Sequence, residues 1–398
     1  MIPEIRDAFN KGFKEQYYEA LLRQIEETYS EPSAFRISET PVFIDKGLKK
    51  KVFSACDAII EQLGQINFSE IRQKFIPKEL QSPAPMGNPH FLAIDFGLCD
   101  DGQGGIAPQL IELQAFPTLF FYQPFLGNAF LNNYPNIPQD NLHFYFSNLS
   151  DASYQKEVAE VILGGENPEN VILLELFPEK QKTRIDFWAT KKALGIEIVC
   201  MTKVIKKGKS LFYEKGGRKI RINRIYNRVI FDELQRIENL DINFNLSDDL
   251  DVEWVTHPDW FYMISKCIMP ILKHENIPQS YYLNDFPVDL DLSMYVLKPL
   301  FSFAGQGIDL YPNQAIIDRL EDKHNYILQQ KVPYAPLVKT NTERNSKVEL
   351  RMLYIWSEKE NRLKPVINLT RMSKGEMINV SHQVNDTWIG SSISFFEQ

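Results

Sequence analysis

The sequence predicts an α+β protein whose regions differ in character. Three observations predict it. The first 80 residues carry helical stripes. Residues 141–255 run strand, helix, strand at a spacing that suits a parallel, Rossmann-like unit. Residues 256–398 hold strand candidates separated by short turns, the pattern of antiparallel hairpins. At 398 residues the chain exceeds one core, since domains typically run about 100–200 residues.

In the first region Tyr17, Leu21, Ile25 and Tyr29 recur every four residues on one helix face. Val52, Cys56, Ile59, Ile60 and Leu63 make a second stripe, ended near Gly64. Both read as core packing. Residues 83–89 are punctuated by Pro and Gly and turn. Strand-like alternation at 91–98 and 109–116 flanks a turn at 100–105, which reads as a β-hairpin. Residues 118–135 are aromatic and proline-interrupted and lead into a loop at 132–139. In the middle region, 171–176 is a buried-strand run, 182–194 a helix stopped by Gly195, and 196–201 a strand. A basic surface hairpin at 206–219, a strand at 221–229 and a helix at 231–240 follow. The last region predicts a helix at 260–274 kinked at Pro270, a strand at 294–298, a glycine loop at 301–307 and a returning strand at 308–311. Beyond these come a helix at 315–320 and strands at 326–332, 348–356, 364–370 and 377–381. There is no internal repeat.

Composition narrows the function classes. With 27 Phe, 17 Tyr and 5 Trp the chain has ample surface to bury, so disorder is excluded as its main state. No run approaches the roughly 20 apolar residues of a membrane helix, and residues 1–7 lack the features of a secretory signal. The net charge of −8 argues against general nucleic-acid binding, whose footprint is basic. Cys56, Cys99, Cys200 and Cys267 stand far apart, which disfavours a zinc site or a disulfide framework and fits a reducing cytoplasm. The histidines have no H-x-x-x-H spacing and no G-x-S-x-G elbow exists, which discounts zinc and serine hydrolases.

Four constellations could carry chemistry. Lys298 on a strand precedes a loop with Gly305-Gln306-Gly307. Such a loop can cradle phosphate through backbone N–H groups, or be an ordinary turn. A strand pattern follows it, so it is neither a Walker A loop nor a Rossmann fingerprint. In the hairpin, Glu112 and Gln114 share a face, and a tight turn between Gln103 and Gly104 puts Asp95 opposite Glu112. Like charges directly opposite are destabilising, and Mg²⁺ would remove the repulsion; two carboxylates on a solvated face are the alternative. Glu349 and Arg351 share a strand face, and Arg351, Arg371 and Lys374 could neutralise a triphosphate or form surface salt bridges. Arg228, ending Tyr226-Asn227-Arg228, could grip a substrate carboxylate or be structural.

Taken together these motifs resemble the ATP-grasp superfamily, and more narrowly its circularly permuted, glutathionylspermidine-synthase-like branch. Their order is the reason. The acidic motif, Asp95 with Glu112-Leu113-Gln114, lies near the N-terminus, and the lysines and glycine loop follow in the C-terminal third. The resemblance covers roughly residues 90–398 in short motifs. It implies a permuted ATP-grasp fold with N-terminal helices and the permuted hairpin in 1–140, a Rossmann-like pre-ATP-grasp domain in 141–255 and the nucleotide-binding domain in 256–398. The hairpin would then fold with the C-terminal third.

The resemblance also implies roles. Lys266 and Lys298 would contact ATP phosphates, and Gly305, Gln306 and Gly307 would close over them. Gln330, Lys331 and Val332 would border adenine, with Glu349 and Arg351 completing the nucleotide site. Asp95, Glu112 and Gln114 would bind Mg²⁺, Arg371 would steady the γ-phosphate and acyl-phosphate, and Arg228 would meet substrate. The implied activity is an ATP- and Mg-dependent carboxylate–amine or carboxylate–thiol ligase acting on small molecules or peptides, cytoplasmic, with no nucleic-acid or membrane partner. The chain departs from the family at Gln114, where Asn is usual, at bulky Phe301 and Phe303 in the glycine loop, and at Gln329-Gln330 in the hinge. These departures fit the alternative, a non-catalytic nucleotide-binding or interaction protein on the same fold.

Overall fold

A computed structural model describes residues 1–237, 239–302, 305–376, 378 and 386–398. The first region is helical, in Pro3–Gly12, Glu15–Tyr29, Lys46–Leu63 and Phe68–Phe75. The four-residue stripe buries Leu21 and Ile25. The third of these helices starts where the Asp45 carboxylate accepts from Leu48 N, satisfying an N–H that has no intrahelical acceptor.

The central sheet is antiparallel throughout. Its strand order is Gly390–Ser392, Arg362–Ser373, Lys347–Ser357, Phe91–Asp100, Ile106–Gln114. The 91–114 hairpin therefore pairs with the C-terminal third, across the whole middle region of the chain. Phe91–Asp100 is buried along all but its last residue, as its apolar run, broken only by Asp95 before the terminal Asp100, requires of a strand covered on both faces. Glu253–Val255, Arg224–Asn227, Val171–Glu175 and Glu197–Cys200 form a separate, wholly parallel sheet. The helix Arg184–Leu194 makes one crossover and ends at Gly195, whose φ of 73° suits glycine. The basic stretch folds as a three-stranded ribbon, Ile205–Lys207, Ser210–Lys215 and Arg218–Ile222.

A smaller antiparallel sheet, Ser280–Tyr282, Tyr326–Gln330 and Tyr295–Pro299, has its own core of Leu283, Tyr295, Leu297, Ile317 and Leu328. Val42–Ile44 pairs in parallel with Ser394–Glu397, so early and late segments are knitted together. Among the described residues, no helix is long and apolar enough to cross a membrane.

Several elements differ from the sequence reading. Residues 118–135 contain a helix, Tyr122–Asn133. Pro124 lies in its first turn, where N–H groups lack intrahelical acceptors, and the helix is buried on several faces, so no amphipathic stripe marks it. A helix at Asp151–Leu163 opens on a capping box at Ser150. The helix read at 260–274 is only Trp260–Met263 followed by a single 3₁₀ turn, Lys266–Ile268. Ser265 breaks it: its backbone is extended and its hydroxyl accepts from Cys267 N at 3.3 Å. Residues 308–311 make only an isolated bridge, Leu297 with Asp309. The helix at 231–240 stops at Arg236. The strand read at 377–381 falls, but for Ile378, outside the described residues.

Candidate functional site

The site begins with strand register. On the central sheet Glu112, Asp95 and Arg351 stand side by side on three neighbouring strands, and Glu349 stands opposite Arg371 in the adjacent row. Asp95 meets Glu112 as the turn arithmetic has it, though by a different route. Pairing of Asp100 with Ile106 centres the loop on Gln103, and an extra residue, Ile111, at a bulge beside Asp95 corrects the register.

Arginine fills the space between the carboxylates. Arg351 Nε and Nη2 donate to Asp95 Oδ1 and Oδ2, each at 2.6 Å. Arg371 Nη2 donates to Asp95 Oδ2 at 2.5 Å and lies 3.0 Å from Glu349 Oε2. Arg351 Nη2 is 3.6 Å from Glu112 Oε1. With its amide turned to satisfy its neighbours, Gln114 accepts from Arg351 Nη1 and Nη2 at 3.0 and 3.1 Å. The Tyr334 hydroxyl donates to Glu349 Oε1 at 2.5 Å, and its ring lies over Gly97, where a Cβ would come within 2.7 Å of Tyr334 Cε1.

The smaller sheet brings Lys298, and the 3₁₀ turn Lys266–Ile268 brings Lys266. Lys298 Nζ donates to Ile111 O at 3.1 Å, a carbonyl that the bulge frees from the ladder. Lys266 Nζ donates to Ser302 O at 2.7 Å and lies 3.5 Å from Glu112 Oε2. Both lysines are buried. Gln329 Nε2 donates to Leu110 O, and Leu110 N donates to Asn276 O, so the bulge docks the small sheet on the central one. Glu112, Gln114, Lys266, Phe301 and Ser302 line the narrow cleft between them.

The charges shift one another. Burial works to raise the Glu112 carboxyl, but Lys266, Arg351, Arg371 and Lys298 together bring it down to about 2. Burial lowers the Lys298 ammonium to about 8, against the pull of Glu112. Burial raises Glu349, against Arg371. Although burial disfavours its charge, Arg371 is held firmly protonated by Glu349 and Asp95.

The oxygen set assigned to Mg²⁺ does not fit that ion as placed. Mg²⁺ needs oxygen lone pairs at about 2.0–2.1 Å in near-octahedral array. Both Asp95 oxygens are committed to guanidinium groups, and Glu112 and Gln114 face the same arginine. Among the described residues, no group of three His, Cys, Asp or Glu is placed to hold a metal.

Other predicted residues lie apart from this cluster in their contacts. Arg228 Nη1 donates to Asp186 Oδ2 at 2.6 Å, and Asp186 also accepts from Phe121 N and Tyr122 N. That ties one helix to the start of another, the structural reading of this arginine. Gly305 and Gly307 have φ of 76° and 70°, and Gln306 accepts from Arg236. Gln330 N and Lys331 N donate to Gln279 O and Met294 O, Val332 O accepts from Tyr334 N, and Lys331 Nζ turns to Ser293 O. Lys374 Nζ donates to Thr342 Oγ1. The sequence reading missed Tyr334 and Ser302; only their place beside the 326–330 strand and the glycine loop hints at them.

No protein-family model matches the sequence, and no curated protein does. The fold is similar to a solved structure, a glutathione synthetase-like effector (GSS30) from Globodera pallida in its apo form. The TM-score is 0.56 at 12% identity, with 96% of each chain covered. The chain thus shares the overall fold of this glutathione synthetase-like protein.

Proposed function

We propose that this protein is an ATP-dependent ligase of the circularly permuted ATP-grasp kind, joining a small-molecule or peptide carboxylate to an amine or thiol through an acyl-phosphate. One observation carries the reading. Lys266, Lys298, Arg351 and Arg371, from separate segments, converge on the cleft around Glu112. The permuted order of the motifs and the glutathione-synthetase-like fold add support.

Such a site works by positioning and charge stabilisation. Lys266 and Lys298 would exchange their carbonyl partners for phosphate oxygens. Arg371 Nε and Ser302 Oγ are buried and without partners among the described residues, so a bound phosphate or carboxylate oxygen could engage them. A substrate carboxylate oxygen attacks the γ-phosphorus and ADP leaves. The amine or thiol then attacks the acyl carbon, phosphate leaves, and the nucleophile's proton passes to solvent. The unpaired cysteines support a reducing, cytoplasmic setting.

The test is ADP and phosphate release from ATP with a panel of amino acids, peptides and polyamines. One ADP per amide or thioester formed is expected, with a loss of at least about 100-fold in Arg371→Met, the scale of removing one transition-state donor. No ADP release across the panel would contradict the ligase reading. ATP binding without turnover would favour the second reading, a nucleotide-binding protein without catalysis, which the arginine between Asp95 and Glu112 supports.

A further inference from the structure

We infer that the Arg351 guanidinium is the resident cation of the Asp95–Glu112–Gln114 cage, standing where a divalent metal would otherwise sit, and that the chain binds no metal of its own there. Register fixes the arrangement. Arg351, Asp95 and Glu112 follow one another in a single cross-strand row, and the longer arginine side chain reaches from its end of the row to both carboxylates. Its planar fork matches Asp95 with two bonds of 2.6 Å, the bidentate geometry that arginine favours. Its remaining edge faces Gln114, at 3.0 and 3.1 Å, and Glu112, at 3.6 Å.

Displacing this group is unfavourable on three counts. Asp95 is 1% exposed, so water cannot replace the bonds it would lose. Arg371 also donates to Asp95 Oδ2, so with Arg351 on both oxygens the carboxylate has none uncommitted. Within the cluster, Asp95, Glu112 and Glu349 are already outnumbered by Arg351, Arg371, Lys266 and Lys298, so an added divalent ion would meet net positive charge. An anionic ligand of the cleft would therefore be held by the protein's own cations. A metal arriving as a nucleotide complex is substrate and lies outside this claim.

The test uses Mn²⁺ alone, titrated into the full chain without nucleotide and followed through the free-ion EPR signal. Wild type and Glu112→Gln should take up the same Mn²⁺, with no component that depends on Glu112. Arg351→Met should gain one site per chain, which adding Glu112→Gln removes. Uptake of one Mn²⁺ by wild type, lost in Glu112→Gln, would overturn the inference. A folded Arg351→Met that gains no site would also count against it. Should Arg351→Met fail to fold, the comparison of wild type with Glu112→Gln decides alone, since Glu112 is partly exposed. With no nucleotide present, failure of this inference and failure of the ligase reading are separate events.

Discussion

Asp95→Ala should cost about 3–5 kcal/mol of stability, the range for removing one partner of a buried ion pair. The carboxylate is buried in an inner strand of the central sheet and takes three charge-assisted bonds from two arginines. Without it, two neighbouring guanidinium groups lose their shared counter-charge, and only Glu349 and Glu112 remain to offset them. Urea unfolding followed by tryptophan fluorescence reads the loss. Adding Arg351→Met to Asp95→Ala should cost less than the two changes separately, because the second removes one of the stranded cations. Asp249→Ala, in an exposed pair with Lys209, should leave the midpoint unchanged. An Asp95→Ala protein as stable as wild type would mean that the cluster is solvated.

Nucleotide affinity should fall as pH rises through about 8. Burial lowers the Lys298 ammonium to about 8, so the free protein carries that charge below this pH and loses it above. A bound polyphosphate favours the charged form and raises it again. Association should thus be flat below pH 8 and weaken by up to about tenfold per pH unit above it, as one linked proton requires. Lys298→Arg should flatten the profile up to pH 10, because guanidinium stays charged. Lys298→Met should bind weakly at every pH. A wild-type profile flat from pH 7 to 10 would remove Lys298 from the phosphate site.

What the sequence disclosed, and what it hid, follows from the range of the interactions involved. Strand period places Glu112 and Gln114 on one face, and the turn residues bring Asp95 to within one residue of Glu112, the bulge making the last step. Both signals are local, and the pairing of Asp95 with Glu112 is found in the structure, though not through the tight turn expected. The bulge at Ile111 has no local signature, yet it supplies the carbonyl that Lys298 binds. The helix through Lys266 failed as a reading because Ser265 caps the following turn with its own hydroxyl. The helix Tyr122–Asn133 was hidden by burial on several faces, which erases the polar stripe that pattern reading needs. Most consequential was the pairing of Lys347–Ser357 with Phe91–Asp100. Two carboxylates in a hairpin suggest a metal when their other neighbour is unknown. Only the long-range register reveals that the neighbour is Arg351.

Hydrogen exchange with and without ATP shows whether one nucleotide cleft is assembled from segments about 200 residues apart. Exchange should slow on ATP addition in two places at once, the Ile106–Gln114 strand and the segment from Tyr295–Pro299 through Ser302, with both effects lost in Lys298→Met. Exchange unchanged in both segments, or protection confined to the parallel sheet and its basic ribbon, would contradict it.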